Sequence, residues 1–193
     1  MKNYLINSFI KNNIVKFGDF TLKSGKSSNI YIDMRSIISY PILLKLLIKY
    51  ISEMEKLEII KEKNIDTIKI KKMEYTCVIG VPYGAISLAT AFSLQSNIKS
   101  LFIRKEKKKY GTKKQVEGHY NENEEILLIE DVITSGQSIL ETIKIIEDNN
   151  LKIKKIITII DREEGGIEML RNKGYNVCPI FTKTEILDFY NSK

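Results

Sequence analysis

The chain contains few of the residues that build metal centres and disulfide frameworks. Its 193 residues include two cysteines, Cys77 and Cys178, a single histidine, His119, and no tryptophan. A structural zinc site needs about four such ligands, so these residues do not supply one. Both cysteines lie beside apolar residues, which predicts reduced thiols in the core of a cytoplasmic protein.

Long apolar runs are also missing. No run approaches the ~20 residues of a membrane-spanning helix, and residues 1–9 are too interrupted by polar side chains to form a signal peptide. We therefore expect no membrane association. With 43% hydrophobic and 28% charged residues, the chain has the composition of a soluble globular protein. Its length suits a single domain over residues 1–193.

Positive charge, in contrast, is plentiful. The formal net charge is +7, with basic clusters in residues 61–72 and 104–114. Nucleic acid would suit this charge, but the sequence has no zinc-finger spacing, no aromatic RNA-binding signature and no helix that is basic along one face. A polyanionic small molecule suits the same clusters. We therefore predict no nucleic-acid partner.

Strands and helices alternate along most of the chain. This alternation predicts an α/β fold with a doubly wound, mostly parallel sheet flanked by helices. A hairpin-like hood over about residues 1–40 precedes the core of about residues 41–193. The predicted helices are 3–13, 42–54, 84–95, 137–148, 165–173 and 184–190, and the predicted strands are 17–22, 30–33, 76–81, 99–104, 125–130, 153–160 and 177–181.

Residues 55–74 interrupt this alternation. They alternate Lys and Glu with Ile and contain neither glycine nor proline. Three structures fit such a tract: an extension of the preceding helix, an added ribbon, or a mobile insertion. Because the tract is so rich in charge, we interpret it as a solvated surface feature and predict that it is dispensable for chemistry.

Residues 125–138 form the most informative stretch. An apolar run at 126–129 predicts a strand buried on both faces, and Glu130 and Asp131 end that run. Small residues around Gly136 then lead into a helix. N–H groups of such a turn hold phosphate, while carboxylates accept sugar hydroxyls or face a metal. The plainer alternative is that the acids solubilise a strand end and a serine caps the helix.

Other unusual residues follow neighbouring strands, where ligands bind in such sheets. A Pro-Tyr-Gly-Ala turn occupies residues 82–85. The strongly basic residues 105–118 are predicted to form a catalytic lid, with a disordered basic tract as the alternative. Arg162 offers a planar fork for a carboxylate or imide edge, although an ion pair with Glu163 or Glu164 explains it equally well.

Several of these motifs, in order, resemble orotate phosphoribosyltransferase, a type I phosphoribosyltransferase. The resemblance covers nearly the whole chain and is strongest to the transferase half of eukaryotic UMP synthase. It implies a Mg²⁺-dependent homodimer that converts orotate and phosphoribosyl pyrophosphate (PRPP) to orotidine 5′-monophosphate and pyrophosphate during UMP biosynthesis. The motifs are residues 20–25 with 28–33, 80–84, 104–105 with 110–113, 116–118, 130–136 and 161–163.

The resemblance also implies roles for individual residues. Lys108, Asp131 and Glu130 would be catalytic. Orotate would be bound by Lys23, Tyr31, Ile32, Thr134 and Arg162. No side chain is a certain metal ligand: Mg²⁺ would arrive with PRPP, with Asp131 as a candidate contact. PRPP would be bound by Lys23, Tyr83, Gly84, Arg104, Lys105, Lys108, Tyr110, Glu130, Asp131, Val132, Ile133, Thr134, Ser135, Gly136, Gln137 and Ser138.

The resemblance also bears on the partners of the protein and on positions where the chain differs from the family's pattern. Lys108 and Tyr110 would act in the neighbouring subunit's site, and a separate orotidine-5′-monophosphate decarboxylase would be a partner. Gly84 stands where bacterial relatives have lysine, and Lys109 stands where the lid usually carries an acid. Two other functions fit the fold: a non-catalytic PRPP-sensing regulator and a purine phosphoribosyltransferase. The complete hood and lid argue against the first, and the hood motif and Arg162 argue against the second.

Overall fold

The computed structural model describes residues 1–21, 25, 27–62, 65–70, 73–104 and 115–192, with the backbone alone described for 57–62 and 65–70. Within these ranges, none of the helices has both the length and the apolar content that crossing a bilayer requires.

The chain begins with a small hood. Helix α1 (Lys2–Lys11) precedes strands β1 (Val15–Thr21) and β2 (Ser27–Ile32). The two strands pair antiparallel to each other, which confirms the predicted hairpin. A 3-10 helix over Met34–Ser39 follows, which the sequence analysis did not predict.

A two-stranded ribbon follows the first core helix. Helix α2 (Pro41–Lys56) begins at a proline, which suits a first helical turn because its missing N–H would be unpaired there. Strands β3 (Leu57–Glu62) and β4 (Ile65–Ile70) then pair antiparallel. Of the three structures that fit residues 55–74, the ribbon is therefore the one that forms. Its many isoleucines favour extended backbone.

The rest of the chain forms one six-stranded sheet flanked by helices. The strand order is β10-β9-β8-β5-β6-β7, and all neighbours pair parallel except β6 and β7. The elements are β5 (Cys77–Gly80), α3 (Ile86–Ser96), β6 (Lys99–Ile103), β7 (Val116–Glu117), β8 (Glu125–Ile133), α4 (Gln137–Glu147), β9 (Lys152–Asp161), α5 (Gly166–Asn172), β10 (Val177–Thr182) and α6 (Lys183–Asn191).

This order confirms the doubly wound sheet. From β5 the chain moves to β6 on one side, and then to β8, β9 and β10 on the other. The winding direction therefore reverses between β5 and β8. In sheets of this kind a crevice opens at that switch point, beyond the carboxyl ends of the strands.

Two expectations from the sequence were wrong in detail. Strand β8 was predicted to end at residue 130 but continues to Ile133, so Glu130 and Asp131 lie inside the strand. The reason is unequal pairing: β5 follows β8 only as far as Ile129, whereas β9 pairs with it as far as Ile133. The short strand β7 also lies within residues 105–118, which were predicted to form a lid loop.

Hydrophobic cores lie on both faces of the sheet. Leu127 and Ile129 of β8 join a core that contains Phe92 and Phe181. Their neighbours Ile126 and Leu128 face a second core beneath α4 and α5. Strand β8 is thus buried on both faces, as its unbroken apolar run predicts.

Candidate active site

A cavity of about 350 Å³ opens at the switch point between β5 and β8. It brings together side chains from the hood, from β8 and from the turns that follow β5, β8 and β9. Its predicted members are Ile32, Tyr83, Gly84, Glu130, Asp131, Val132, Thr134, Ser138 and Arg162.

Four further residues line the cavity without having been predicted. Val81 and Pro82 belong to the turn after β5, whereas Met34 and Arg35 belong to the 3-10 helix after β2. Arg35 pairs with Asp33 at 3.4 Å and is otherwise exposed. The position of Arg35 directly after the hood motif could have suggested a role in the site. Its return to the crevice, however, depends on the 3-10 helix.

The two acids of β8 lie where the strand has lost its β5 partner. Glu130 is only 6% exposed, and its Oε1 accepts a hydrogen bond from the backbone N–H of Asp131 at 3.2 Å. The Oδ1 of Asp131 accepts the N–H of Val132 at 2.9 Å. These contacts orient both carboxylates at the cavity wall, where they can accept hydrogen bonds from hydroxyl groups.

The turn after β5 presses against Asp131. The Val81 N–H donates to the Ile129 carbonyl at 2.9 Å, and the peptide between Pro82 and Tyr83 is cis. A Cβ atom at position 84 would lie 2.2 Å from Oδ2 of Asp131. Glycine is therefore required there by the present position of the carboxylate, and a lysine at this position would need Asp131 to move.

The turn after β8 has the geometry of an anion site. Gly136 begins α4 with a φ of 79°, and no side chain of the described residues caps that helix. Its first N–H groups therefore stay available beside Thr134 and Ser138, which line the cavity. Gly166 supports this turn from behind, since a Cβ there would lie 2.3 Å from the Thr134 carbonyl oxygen. An anion at such a helix start is stabilised by the N–H groups and the helix dipole.

Arg162 forms the predicted ion pair and also lines the cavity, so its role towards a ligand stays a prediction. Its Nη2 lies 3.0 Å from Oε1 of Glu164, so the ion pair exists. Its side chain is nevertheless only 14% exposed and lines the cavity. The buried Nε has no hydrogen-bond partner among the residues that the structure describes. A buried donor of this kind has capacity left for an acceptor atom in the cavity.

Asp161 shapes the turn that carries Arg162. Its Oδ1 accepts the N–H of Glu163 at 2.8 Å, and the Arg162 N–H donates to the Ile133 carbonyl at 3.0 Å. Burial raises the pKa of the Asp161 carboxyl above its usual value. Hydrogen bonds from the backbone N–H groups of Arg162 and Glu163 thus hold this turn in place.

Other predicted site residues lie outside the cavity lining. The Ile133 side chain is buried in the core, so only its backbone can meet a ligand. Tyr31 is partly exposed and lies beside Phe20. Arg104 pairs with Glu117 at 3.7 Å at the end of β6. Ser135, Gly136 and Gln137 surround the start of α4 without lining the cavity.

The remaining predicted site residues fall outside the residues that the structure describes. They are Lys23 of the hood and Lys105, Lys108 and Tyr110 of the lid, together with the departure at Lys109.

The donor set of the cavity fits a magnesium ion carried by a substrate. Among the described residues, no group of three or more His, Cys, Asp and Glu side chains could hold a metal ion by itself. Glu130 and Asp131 supply two hard carboxylates at the cavity wall. Mg²⁺ is commonly held by one or two carboxylates together with substrate phosphates, and these residues match that pattern.

Comparison with known proteins places this site in a class. A family model described as a phosphoribosyl transferase domain matches residues 50–179, which include β8, its acids and the turn before α4. The sheet and the turn before α4 thus belong to a phosphoribosyl transferase domain.

Relatives with known names define the family more closely. Orotate phosphoribosyltransferase of Methanosphaera stadtmanae is 41% identical over 184 residues, which cover 95% of each chain. The enzyme of Pyrococcus horikoshii is 37% identical over 96% of this chain and 93% of its own. Uridine 5′-monophosphate synthase of Caenorhabditis elegans is 37% identical over the whole chain, but this covers 36% of that protein. The chain belongs to the orotate phosphoribosyltransferase family.

Solved structures agree with this assignment. UMP synthase of Leishmania donovani superimposes with a TM-score of 0.82 and 26% identity, over 99% of this chain and 38% of that one. Orotate phosphoribosyltransferase of Aeropyrum pernix superimposes with a TM-score of 0.71 and 25% identity, over 99% of both chains.

Proposed function

We propose that this protein transfers the phosphoribosyl group of PRPP to orotate, giving orotidine 5′-monophosphate and pyrophosphate in pyrimidine biosynthesis. One observation carries the proposal beyond family membership: a single cavity joins the carboxylates of β8, the turn before α4 and the buried Nε of Arg162, which lacks a hydrogen-bond partner in the described part of the chain. These are the groups that a phosphorylated sugar and an anionic base require.

PRPP occupies the side of the cavity formed by β8 and α4. The N–H groups at the start of α4, with Thr134 and Ser138, bind the 5′-phosphate. Glu130 and Asp131 accept hydrogen bonds from the ribose hydroxyls. Tyr83, Arg104 and the lid residues Lys105, Lys108 and Tyr110 contact the pyrophosphate.

Orotate occupies the opposite side, between Arg162 and the hood. Arg162 donates to the carboxylate or the imide edge of the base, because its guanidinium presents several donors in one plane. Ile32 lines the same cavity. Tyr31, Thr134 and Lys23 complete the proposed base site.

Magnesium is the proposed cofactor. Glu130 and Asp131 are the residues that would hold it, together with substrate oxygens. When bound, it stabilises the negative charge of the departing pyrophosphate.

The chemistry follows from where charge develops. The bond between C1 of the ribose and pyrophosphate breaks with both electrons going to pyrophosphate. N1 of orotate loses its proton to the solvent or to the departing pyrophosphate and forms the new bond to C1. The sugar therefore becomes cationic and the leaving group more anionic. The β8 carboxylates lie on the sugar side, and the lid lysines neutralise the leaving group. A closed lid also excludes water that would otherwise capture the sugar cation.

A base-specificity assay tests the proposal. Pyrophosphate release from PRPP is measured with orotate, uracil, hypoxanthine and adenine at equal concentrations. Turnover with orotate alone is the expected result, since the other bases lack the carboxylate that Arg162 would bind. Turnover with a purine base would contradict it, and PRPP binding without turnover of any base would indicate a regulator instead.

We further propose a homodimer in which the lid serves the neighbouring site. Two variants test this: Lys108→Ala, with a defective lid, and Asp131→Asn, with a defective β8. If the lid acts in the neighbouring site, one site of a hybrid dimer then combines an intact β8 with an intact lid. Equal mixtures make about half the dimers hybrid, so about a quarter of the sites should recover. No recovery, with subunit exchange verified by mass spectrometry, would mean that the lid acts within its own subunit.

The proposal includes a cellular location and a partner enzyme. A cytoplasmic location suits Cys77 and Cys178, which are free thiols in the structure. An orotidine-5′-monophosphate decarboxylase is the proposed partner that consumes the product, since the relative in Caenorhabditis elegans is named uridine 5′-monophosphate synthase. Coupled assays with the purified decarboxylase would check whether the two proteins associate.

A further inference from the structure

The turn that carries Arg162 is attached to the C-terminal helix. The Oε2 atom of Glu163 accepts hydrogen bonds from the backbone N–H and the hydroxyl of Thr184, at 2.8 and 2.7 Å. Thr184 lies in the first turn of α6. Glu163, which directly follows Arg162, thus forms two hydrogen bonds with α6, a helix that does not line the cavity.

This attachment is not needed to form α6. That helix already has its own capping box, in which the Thr182 hydroxyl accepts the Glu185 N–H at 3.1 Å and Glu185 Oε2 accepts the Thr182 N–H at 2.9 Å. Such reciprocal bonds satisfy two of the donors at a helix start. The Glu163 carboxylate satisfies a further N–H of that start, and the same bonds hold the turn of Arg162 against α6.

Helix α6 also supports the opposite wall of the proposed base site. Tyr190 stacks on Phe17 of β1, with ring centroids 3.7 Å apart. Strand β1 pairs with β2, which carries Tyr31 and Ile32. One helix therefore contacts both the turn of Arg162 and the hood strands that face it.

We propose that Glu163 and Thr184 are positioning residues that aim the Arg162 guanidinium into the cavity, with α6 as the common support of both walls of the base site. This inference rests on the proposed function, because it concerns the orotate site. Asp161 and the Ile133 carbonyl anchor the backbone of the turn on its β9 side. The Glu163 carboxylate adds the anchor on the other side, so the backbone around Arg162 is held from two directions.

Kinetics of Glu163→Ala test the proposal. Loss of both bonds should raise KM for orotate about fivefold, the size expected for exposed hydrogen bonds to a charged group. KM for PRPP should change less than about twofold, because the start of α4 makes no use of this contact. Glu163→Gln keeps a carbonyl acceptor of the same length and should restore most of the affinity for orotate.

Thr184 provides an independent pair of variants. Thr184→Val removes the hydroxyl but keeps the N–H bond, so we expect a rise of about twofold in KM for orotate, whereas Thr184→Ser should match the parent. The double variant Glu163→Ala/Thr184→Val should be no worse than Glu163→Ala, because the two residues share one interaction. This pair keeps the test decisive even if Glu163→Ala does not fold.

Lys2→Met is the matched control. It breaks the ion pair of α1 with Glu185 of α6, at 2.6 Å, without touching the turn of Arg162. KM for orotate should stay unchanged. An equal rise with this variant, or equal effects of Glu163→Ala on both substrates, would overturn the positioning role in favour of general docking of α6. An unchanged KM in Glu163→Ala would also overturn it. Failure of the parent protein to use orotate would instead contradict the proposed function.

Discussion

Polar side chains are arranged differently at the two ends of the central strands. The side of the sheet at the amino ends of the strands is called the amino edge, and the side at their carboxyl ends is called the carboxyl edge. At the amino ends of the strands, buried and half-buried polar groups are paired with one another. Glu55 at the end of α2 accepts a hydrogen bond from the Tyr75 hydroxyl at 3.2 Å and pairs with Lys155 of β9 at 2.7 Å. At the carboxyl ends, acids and an arginine surround a cavity, and the buried Arg162 Nε lacks a partner within the described chain.

A second cluster at the amino edge repeats this pattern. Glu124 accepts hydrogen bonds from the Cys77 thiol, at 2.6 Å, and from the Lys99 ammonium group. Burial, with the hydrogen bond to Glu124, raises the pKa of Cys77 to about 12, so this cysteine stays an unreactive thiol at neutral pH. Burial and Glu55 likewise raise the pKa of Tyr75 far above its usual value.

Polar groups with a structural role therefore lie at the amino ends of the strands, and those available for a ligand lie at the carboxyl ends. A charged group whose partners are inside the protein contributes to stability, and one that lines a cavity with donor capacity left over is prepared for a ligand. Changes at the carboxyl edge should therefore alter kinetics with the fold intact. Changes at the amino edge should alter stability with kinetics intact.

The largest effect is expected from Asp131→Asn. Removing this charge leaves packing unchanged but weakens contacts with the sugar or its metal, so kcat/KM should fall ~100-fold or more. Circular dichroism and steady-state kinetics measure the two properties. Asp148→Asn, at an exposed position after α4, is the control and should be near normal. Near-normal kcat/KM in Asp131→Asn would remove this acid from the proposed site.

Arg162→Leu should have the next largest effect. The variant removes the donor fork from the base side of the cavity, so KM for orotate should rise about tenfold or more while KM for PRPP changes little. Arg171→Leu is the control, since Arg171 bonds the Val177 carbonyl of β10 away from the cavity. Equal effects on both substrates would show that Arg162 serves mainly as the ion-pair partner of Glu164.

At the amino edge, Lys155→Met should reduce stability without changing activity. Glu55 is 9% exposed and Lys155 24%, so removing the ammonium group leaves a largely buried carboxylate whose one remaining partner among the described residues is Tyr75. We expect a loss of about 2 kcal/mol in the free energy of unfolding. Lys49→Met is the control, because Lys49 and Glu53 form an exposed pair at 3.8 Å whose loss should cost less than about 0.5 kcal/mol. Denaturant titration compares them, and a drop in kcat for the Lys155 variant would break the division between the edges.

Replacement of the ribbon should have the smallest effect. The ribbon leaves the core between Glu55 and Tyr75, at the edge opposite the cavity. Exchanging residues 58–72 for a short Gly/Ser linker should therefore leave kcat within a few-fold. A collapse of activity in a variant that keeps its circular dichroism spectrum would instead implicate the ribbon in the lid or the dimer.

Strand β8 illustrates how far local sequence can be read. Its apolar run predicted a strand buried on both faces, and this was confirmed because burial on two faces demands such a run. Its end was misplaced by three residues, since Glu130 and Asp131 look like a strand terminus. Where a strand ends depends on its neighbours, and β9 continues to pair as far as Ile133.

The site was predictable to a similar extent. The β8 acids and the turn around Gly136 were singled out because a strand, a small-residue turn and a helix start follow one another directly in the chain. Thr134 and Ser138 were named through the family resemblance, and both line the cavity. Met34 and Arg35 were missed, since a 3-10 helix returns them to the crevice from the hood. The ambiguity of Arg162 could not be resolved either, because pairing with Glu164 and lining of the cavity are compatible only in three dimensions.

Local sequence was sufficient to predict the main core strands and helices, their order and the chemistry available at each strand end. These depend on periodicity, turn residues and adjacent side chains, which act over a few residues. Which of these strand ends meet depends on the fold as a whole. Parallel strands need long crossovers, so Ile32, Tyr83, Asp131 and Arg162 come together through strand order and the switch between β5 and β8. No local pattern encodes that meeting, nor the attachment of the Arg162 turn to α6.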